Sequence, residues 1–267
     1  MIGLDPNRWI MALHSWPPAC VGLLMLAVCI FSIWGFLYAF GESGLYVYTA
    51  VALIVGNIQV VKVIEVAFLP DPVAMGTVVY SSIFLSTNIL SECYGPAKAR
   101  RAIWLGFFAY ACVTVLMLVT IGMRPLGEHY SVDEEWAWAM PTHTHLEAIF
   151  APAPAVLIAG MFAFIISQLY DVWIYQRLRR WSKGKLLWLR NAVSYMVSAL
   201  LDDVIFSILA WRVFTADPVP WDAVLYTYIF GTYVLRLIIG LFNIPIMYWV
   251  RAYMPKPYGE IFHKGLA

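Results

Sequence analysis

ACVGLLMLAVCIFSIWGFLYAF fills residues 19–40 without one charged side chain. As a helix it would be about 33 Å long, at 1.5 Å of rise per residue. That matches the hydrocarbon core of a bilayer, about 30 Å thick. A signal-peptide core is shorter and follows a basic segment, whereas the preceding residues here carry only Arg8 and no A-x-A-like site follows. The run therefore reads as a retained membrane span. Six further stretches qualify on the same ground: 45–69, 73–94, 102–123, 153–176, 187–214 and 221–250. The last two exceed the length needed, so tilt, kinks or interfacial ends are expected, with Pro245 inside the seventh kinking it.

Composition agrees. Of 267 residues, 62% are hydrophobic and 12% charged, and mean hydropathy is +0.76. Soluble domains carry about 25% charged residues, because a fold in water must cover itself with polar groups. The fold class is all-α, a polytopic transmembrane helix bundle with seven spans. The chain divides into an N-terminal segment with its own span (1–44), a core (45–250) and a tail (251–267). No length remains for a soluble catalytic domain. A net charge of +1 says nothing about partners. Cys20, Cys29, Cys93 and Cys112 form no CxxC pair and read as small hydrophobes.

Basic residues orient the bundle. Lys98, Arg100 and Arg101 fall between spans three and four. Arg177, Arg179, Arg180, Lys183, Lys185 and Arg190 lie around the connection between spans five and six. Arg251, Lys256 and Lys264 follow span seven. Seven spans place these twelve of the 17 basic residues on one side, so the C-terminus is expected in the cytoplasm and the N-terminus outside. The opposite side holds Arg8, Arg124 and Arg212, while Lys62 and Arg236 fall inside spans. The external loop between spans four and five is long and acidic (Glu128, Asp133, Glu134, Glu135, Glu147), and Trp136 and Trp138 suit an interfacial segment.

Polar residues interrupt the spans. They are Asn57, Gln59, Lys62 and Glu65 in the second, Asn88 and Glu92 in the third, and Gln168 and Asp171 in the fifth. The sixth has Asn191, Ser194, Ser198, Asp202 and Asp203, and the seventh Arg236 and Asn243. Each buried charge costs a few kcal/mol even on lenient insertion scales. At about 100° per residue, Asn88 and Glu92 share a face, as do Gln168 and Asp171, and Asn191, Ser194, Ser198 and Asp202 form a stripe. Such stripes turn away from lipid, towards each other or a wet cavity. Interhelical hydrogen bonding would explain a single Asn or Ser, and Lys62 and Glu65 could neutralise each other. Carboxylates recurring in several helices favour a solute cavity. Asn57 and Lys62 stand about 140° apart on an ideal helix and cannot share one contact point there.

Four segments carry a resemblance. TNILSECYGPAKARR (87–101), SQLYDVWIYQRLR (167–179), WLRNAVSYMVSALLDDVIF (188–206) and NIQVVK (57–62) are similar, in order and spacing, to signatures of the queuosine precursor transporter family, the vitamin-uptake-like family of bacterial inner-membrane proteins. The resemblance implies a six-helix core akin to the substrate-binding subunits of energy-coupling-factor transporters. It implies import of 7-cyano-7-deazaguanine or 7-aminomethyl-7-deazaguanine, and no enzymatic activity. It implies binding roles for Asn57, Lys62, Asn88, Glu92, Gln168, Asp171, Arg190, Asn191 and Asp202. The sequence departs from the family in its additional first span and its long acidic loop.

A deazaguanine offers an amine and a ring N–H to a carboxylate, here Glu92, Asp171 or Asp202. Its carbonyl needs a donor such as Asn88, Gln168 or Asn191, and its faces want rings such as Phe84, Tyr94, Tyr170, Trp173 or Phe206. Another purine or a vitamin in the same fold is the alternative solute. A prenyltransferase-like membrane enzyme is disfavoured, because Asp171, Asp202 and Asp203 build no pair of D-x-x-D motifs. His143, His145, Glu147 and His129 have a spacing that can hold zinc but read more simply as loop polarity. No metal or cofactor is expected, nor a nucleic-acid partner. There is no P-loop, so any ATP-driven step would need a separate energising module.

Overall fold

A computed structural model describes residues 6–65, 72–127, 136, 139–150, 154–215 and 217–254. Helix α1 (Pro6–His14) precedes α2 (Pro18–Gln59), and a two-stranded hairpin follows, β1 (Val63–Ile64) with β2 (Val73–Ala74). Then come α3 (Gly76–Cys93), α4 (Pro96–Gly122), α5 (Ala139–Phe150), α6 (Pro154–Trp181) and α7 (Leu187–Ile208), the last continuing as a π-helical stretch over Leu209–Val213. The short α8 (Trp221–Ala223) leads through a second π-helical stretch, Val224–Gly231, into α9 (Thr232–Tyr253).

Five helices among the described residues are long and apolar enough to cross a membrane: α2, α4, α6, α7 with its π extension, and α8 through α9. The first of these is two segments. Gly41 adopts φ 59°, ψ −133°, a conformation open to glycine at little cost. The chain folds back there. Phe36 and Tyr48 would stand about 18 Å apart on one straight helix, yet their ring centroids are 6.4 Å apart. Residues 19–40 thus form one arm and Glu42–Gln59 the other, close to the first two expected stretches.

The second stretch is shorter than expected. Helix ends at Gln59, and the β hairpin pairs Val63 with Ala74 and Ile64 with Val73. Lys62 and Glu65 are consequently exposed loop residues rather than charges inside a helix. Lys62 contributes its backbone, accepting a hydrogen bond from the Met75 N–H at 2.8 Å. Pro245 lies inside α9, as expected, and the helix runs through it from Thr232 to Tyr253. The hydrophobic pattern also gave no sign of the two π-helical stretches.

Helix α3 is the axis of the bundle. Every residue from Gly76 to Glu92 is buried, and α2, α4, α6, α7 and α9 all pack on it. Its turn into α4 is made by Gly95 at φ 96°, with Pro96 in the first helical turn where its missing N–H costs nothing. The apolar surplus faces outward: Phe31, Phe108, Phe230 and Leu241 are each more than 60% exposed. Polar groups inside and large hydrophobes outside suit lipid as the surrounding solvent.

Candidate functional site

Antiparallel packing of α6 on α7 places their polar residues rung by rung. Ser167 donates to Asp202 at 2.9 Å, Asp171 lies beside Ser194, and Arg190 donates to the Tyr175 hydroxyl at 3.3 Å. Successive α6 residues in this ladder, 167, 171 and 175, are one turn apart, so about 6 Å of axial rise separates each rung from the next. Three levels follow.

The first level is a cavity of about 500 Å³, within the range of small-molecule sites. Asn57, Tyr80, Asp202, Asp203, Trp211 and Arg236 are among the polar residues that line it. Arg236 donates to Asp202 at 2.7 Å and lies 3.2 Å from Asp203. Tyr195 fixes the same turn of α9 by donating to the Arg236 carbonyl at 2.9 Å. One guanidinium therefore faces two carboxylates, and Asp203 Oδ2 has no hydrogen-bond partner. Trp211 and Tyr228 face each other with centroids 4.9 Å apart, and Trp211 Nε1 is also without a partner. Both π-helical stretches border this cavity, through Trp211 and Tyr228. Such departures from α geometry recur at functional sites. The β hairpin and the end of α5 complete the wall.

The second level is fully buried. Asn88 donates to Asn191 at 3.3 Å and Thr87 to Gln168 at 2.9 Å. Neither carboxylate oxygen of Asp171 completes a hydrogen bond, and Asn88 Oδ1 on α3 and Asn191 Nδ2, Ser194 Oγ and Ser198 Oγ on α7 are likewise buried without a partner.

The third level is an ionic lock. Glu92, at the end of α3, accepts from Arg190 at 2.6 Å and from the Tyr175 hydroxyl at 3.0 Å. Arg179 and Arg251 lie 3.8 and 3.9 Å from the same carboxylate. Arg190 also donates to the carbonyls of Gly184 and Lys185. One carboxylate thus ties together the ends of α3, α6, α7 and α9.

The residues singled out in the sequence consequently separate. Asn57 and Asp202 line the cavity. Asn88, Gln168, Asp171 and Asn191 form the buried layer below it. Glu92 and Arg190 are engaged with each other in the lock. Lys62 is exposed, between the cavity-lining Val61 and Val63. Of the proposed rings only Phe206 reaches the cavity. Phe84 is packed edge-on against Tyr195, and Tyr170 and Trp173 stack on each other at the exposed surface. Tyr94 lies by the Gly41 turn. Asp203, Arg236, Trp211 and Tyr80 were absent from the expected set. Arg236 carried a signal, being a cation inside an apolar stretch that required a buried acid. Trp211 carried none, being one more apolar ring in a stretch whose π-helical geometry the hydrophobic pattern does not mark. Of the candidate loop metal ligands, His129 lies outside the described residues, as do Glu128, Asp133, Glu134, Glu135 and Trp138. His143, His145 and Glu147 lie on α5, and among the described residues no group of three or more His, Cys, Asp or Glu could hold a metal ion. The tail lysines Lys256 and Lys264 also lie outside the described residues.

Residues 74–250 match the family described as "Putative vitamin uptake transporter". The chain is 35% identical over 222 residues to a Bacillus subtilis (strain 168) protein named "Probable queuosine precursor transporter", covering 83% of this chain and 89% of that one. No solved structure matches.

Proposed function

The chain belongs to the vitamin uptake transporter family and is a multi-pass membrane transporter rather than an enzyme; we propose that its solute is a deazaguanine precursor of queuosine, taken into the cavity between Asn57 and Arg236. The observation that carries this reading is the pair of unpartnered atoms in the cavity region, the acceptor Asp203 Oδ2 and the donor Trp211 Nε1. A guanine-like edge supplies the complement, an amine and ring N–H for the acid and a carbonyl for the indole. The Trp211–Tyr228 pair offers rings for the flat face, where stacking contributes about 1–3 kcal/mol per base. The name of the Bacillus subtilis relative points to the same solute class. Asn88, Gln168, Asp171 and Asn191 support the floor, Glu92 and Arg190 close the far end, and Lys62 stands near the mouth.

In this reading the protein lies in a bacterial inner membrane with seven spans, the lock at the cytoplasmic end and the β hairpin and α5 outside. The convergence of Arg179, Arg190 and Arg251 at one end supports that orientation. The test is uptake of radiolabelled 7-cyano- and 7-aminomethyl-7-deazaguanine by cells unable to synthesise either. Expression of the protein should restore queuosine in tRNA, and W211A should abolish the rescue while the protein still reaches the membrane. Competition by a vitamin or an ordinary purine, with none by either deazaguanine, would assign another solute.

A further inference from the structure

The layer beneath the cavity holds a carboxyl group that no cation among the described residues pairs with. Asp171 is fully buried, and no ion pair among the described residues includes it. Arg236 is engaged with Asp202 and Asp203, and Arg190 with Glu92. A buried carboxylate without a counter-charge is costly, and the other unpartnered atoms of this layer are three oxygens, of Asn88, Ser194 and Ser198, and one nitrogen, Asn191 Nδ2. The ladder sets their geometry. Ser167 opposes Asp202 and Asp171 lies beside Ser194. Advancing four residues on α6 and retreating four on α7 from the Ser167–Asp202 rung brings Asp171 level with Ser198. Asp171 therefore lies between Ser194 and Ser198, whose hydroxyl oxygens are both buried and unpartnered. Asn88 adds a fourth source from α3, its Oδ1 free while its amide donates to Asn191.

We propose that the oxygens of Asp171, Ser194, Ser198 and Asn88 form a binding site for one small monovalent cation, sodium, one helical turn below the solute cavity. Oxygen ligands select hard cations. A single carboxylate among neutral oxygens balances one positive charge, whereas calcium sites take six to eight oxygens with several carboxylates. The missing third His, Cys, Asp or Glu excludes the usual transition-metal set among the described residues. The place of the site gives it a role. It lies between Ser167, which holds Asp202 in the cavity wall, and Tyr175, which holds Glu92 in the lock. A cation there ties α3, α6 and α7 together midway along the path and couples solute occupancy to the state of the far end.

The test needs no solute, so its outcome is separate from the deazaguanine reading. The full-length protein is purified in detergent, and its melting temperature is followed as NaCl replaces choline chloride at constant ionic strength. Binding to the folded state raises the midpoint with ion concentration. The expected result is a saturable rise with sodium, absent in D171N and shifted at least tenfold to higher sodium in S198A. The serine variant keeps the test decisive should D171N misfold. Equal midpoints in sodium and choline at every concentration would overturn the proposal. So would an unaltered sodium response in both variants. A midpoint that ignores sodium but follows pH would also overturn it, assigning a proton to Asp171 instead.

Discussion

Asn57 shows how closely a single side chain is set. Its amide donates to the Leu53 carbonyl at 2.8 Å, and it lies beside the Tyr80 hydroxyl. Opposite stands Gly160, where a Cβ would come within 2.8 Å of Asn57 Oδ1. G160A should push Asn57 off its position and reduce solute uptake about tenfold, equivalent to about 1.4 kcal/mol or one hydrogen bond. Membrane abundance should be unchanged, as a quantitative immunoblot beside the uptake assay would read. Asp203 makes a second prediction. With two carboxyl groups against the one guanidinium of Arg236, the cavity wall has an acid oxygen to spare, Asp203 Oδ2, for a solute's amine. D203N should weaken uptake of the aminomethyl form, an ammonium at neutral pH, more than that of the neutral cyano form. Equal losses for both would contradict it. Residue identities were legible in the sequence where charge made them conspicuous: Asp202, Asp171 and Glu92 are all buried as expected. Their partners were less so, because a pattern of polar stripes does not say which stripe faces which. Glu92 shares a helical face with Asn88, yet it closes on Arg190 while Asn88 turns to Asn191.

Helices α6 and α7 act as a paired element whose register is fixed at both ends by polar contacts. The Glu92–Arg190 bond joins that pair to α3. Removing one partner leaves the other charged and buried, which costs about 3–5 kcal/mol. E92A and R190A should each lower the unfolding free energy in detergent by that order, and the double variant should lose less than the two added together. Strict additivity would mean that the charges do not interact. On α9, a Cβ at Gly240 would run into the ring of Tyr195, so G240V should separate α9 from α7 and loosen Arg236. Helical stretches were readable from apolar run length, with boundaries that fail where geometry changes. The second run continues to 69 in composition, but the helix stops at Gln59, because the hydrophobic Val60–Ile64 stretch serves a β hairpin as well as it would a helix. The π-helical turns are invisible for the same reason: apolar residues fill them as they fill an α-helix.

At the scale of the molecule, the basic residues at one end and the Arg212–Trp221 contact at the other give the bundle two unlike ends. A green fluorescent protein fused after Tyr253 should fluoresce, and alkaline phosphatase fused within the loop before α5 should be active. The reverse pattern would overturn the proposed orientation. The seven-stretch reading and the five apolar helices meet in two particulars. One is the Gly41 turn, which splits α2. The other is α3, which is absent from the five. Its 18 residues include Ser81, Ser82, Ser86, Thr87, Asn88, Ser91 and Glu92, and they are held in the bundle by neighbours rather than by lipid. This bears on how the protein is made. A ribosome delivers α3 long before α6, α7 and α9, which carry Gln168, Asn191, Arg190 and Arg251, the partners of Thr87, Asn88 and Glu92. Until those arrive, α3 has no favourable place in hydrocarbon. Integration of this chain is therefore cooperative and late, and nascent chains stalled after α4 should be the species that membrane proteases remove.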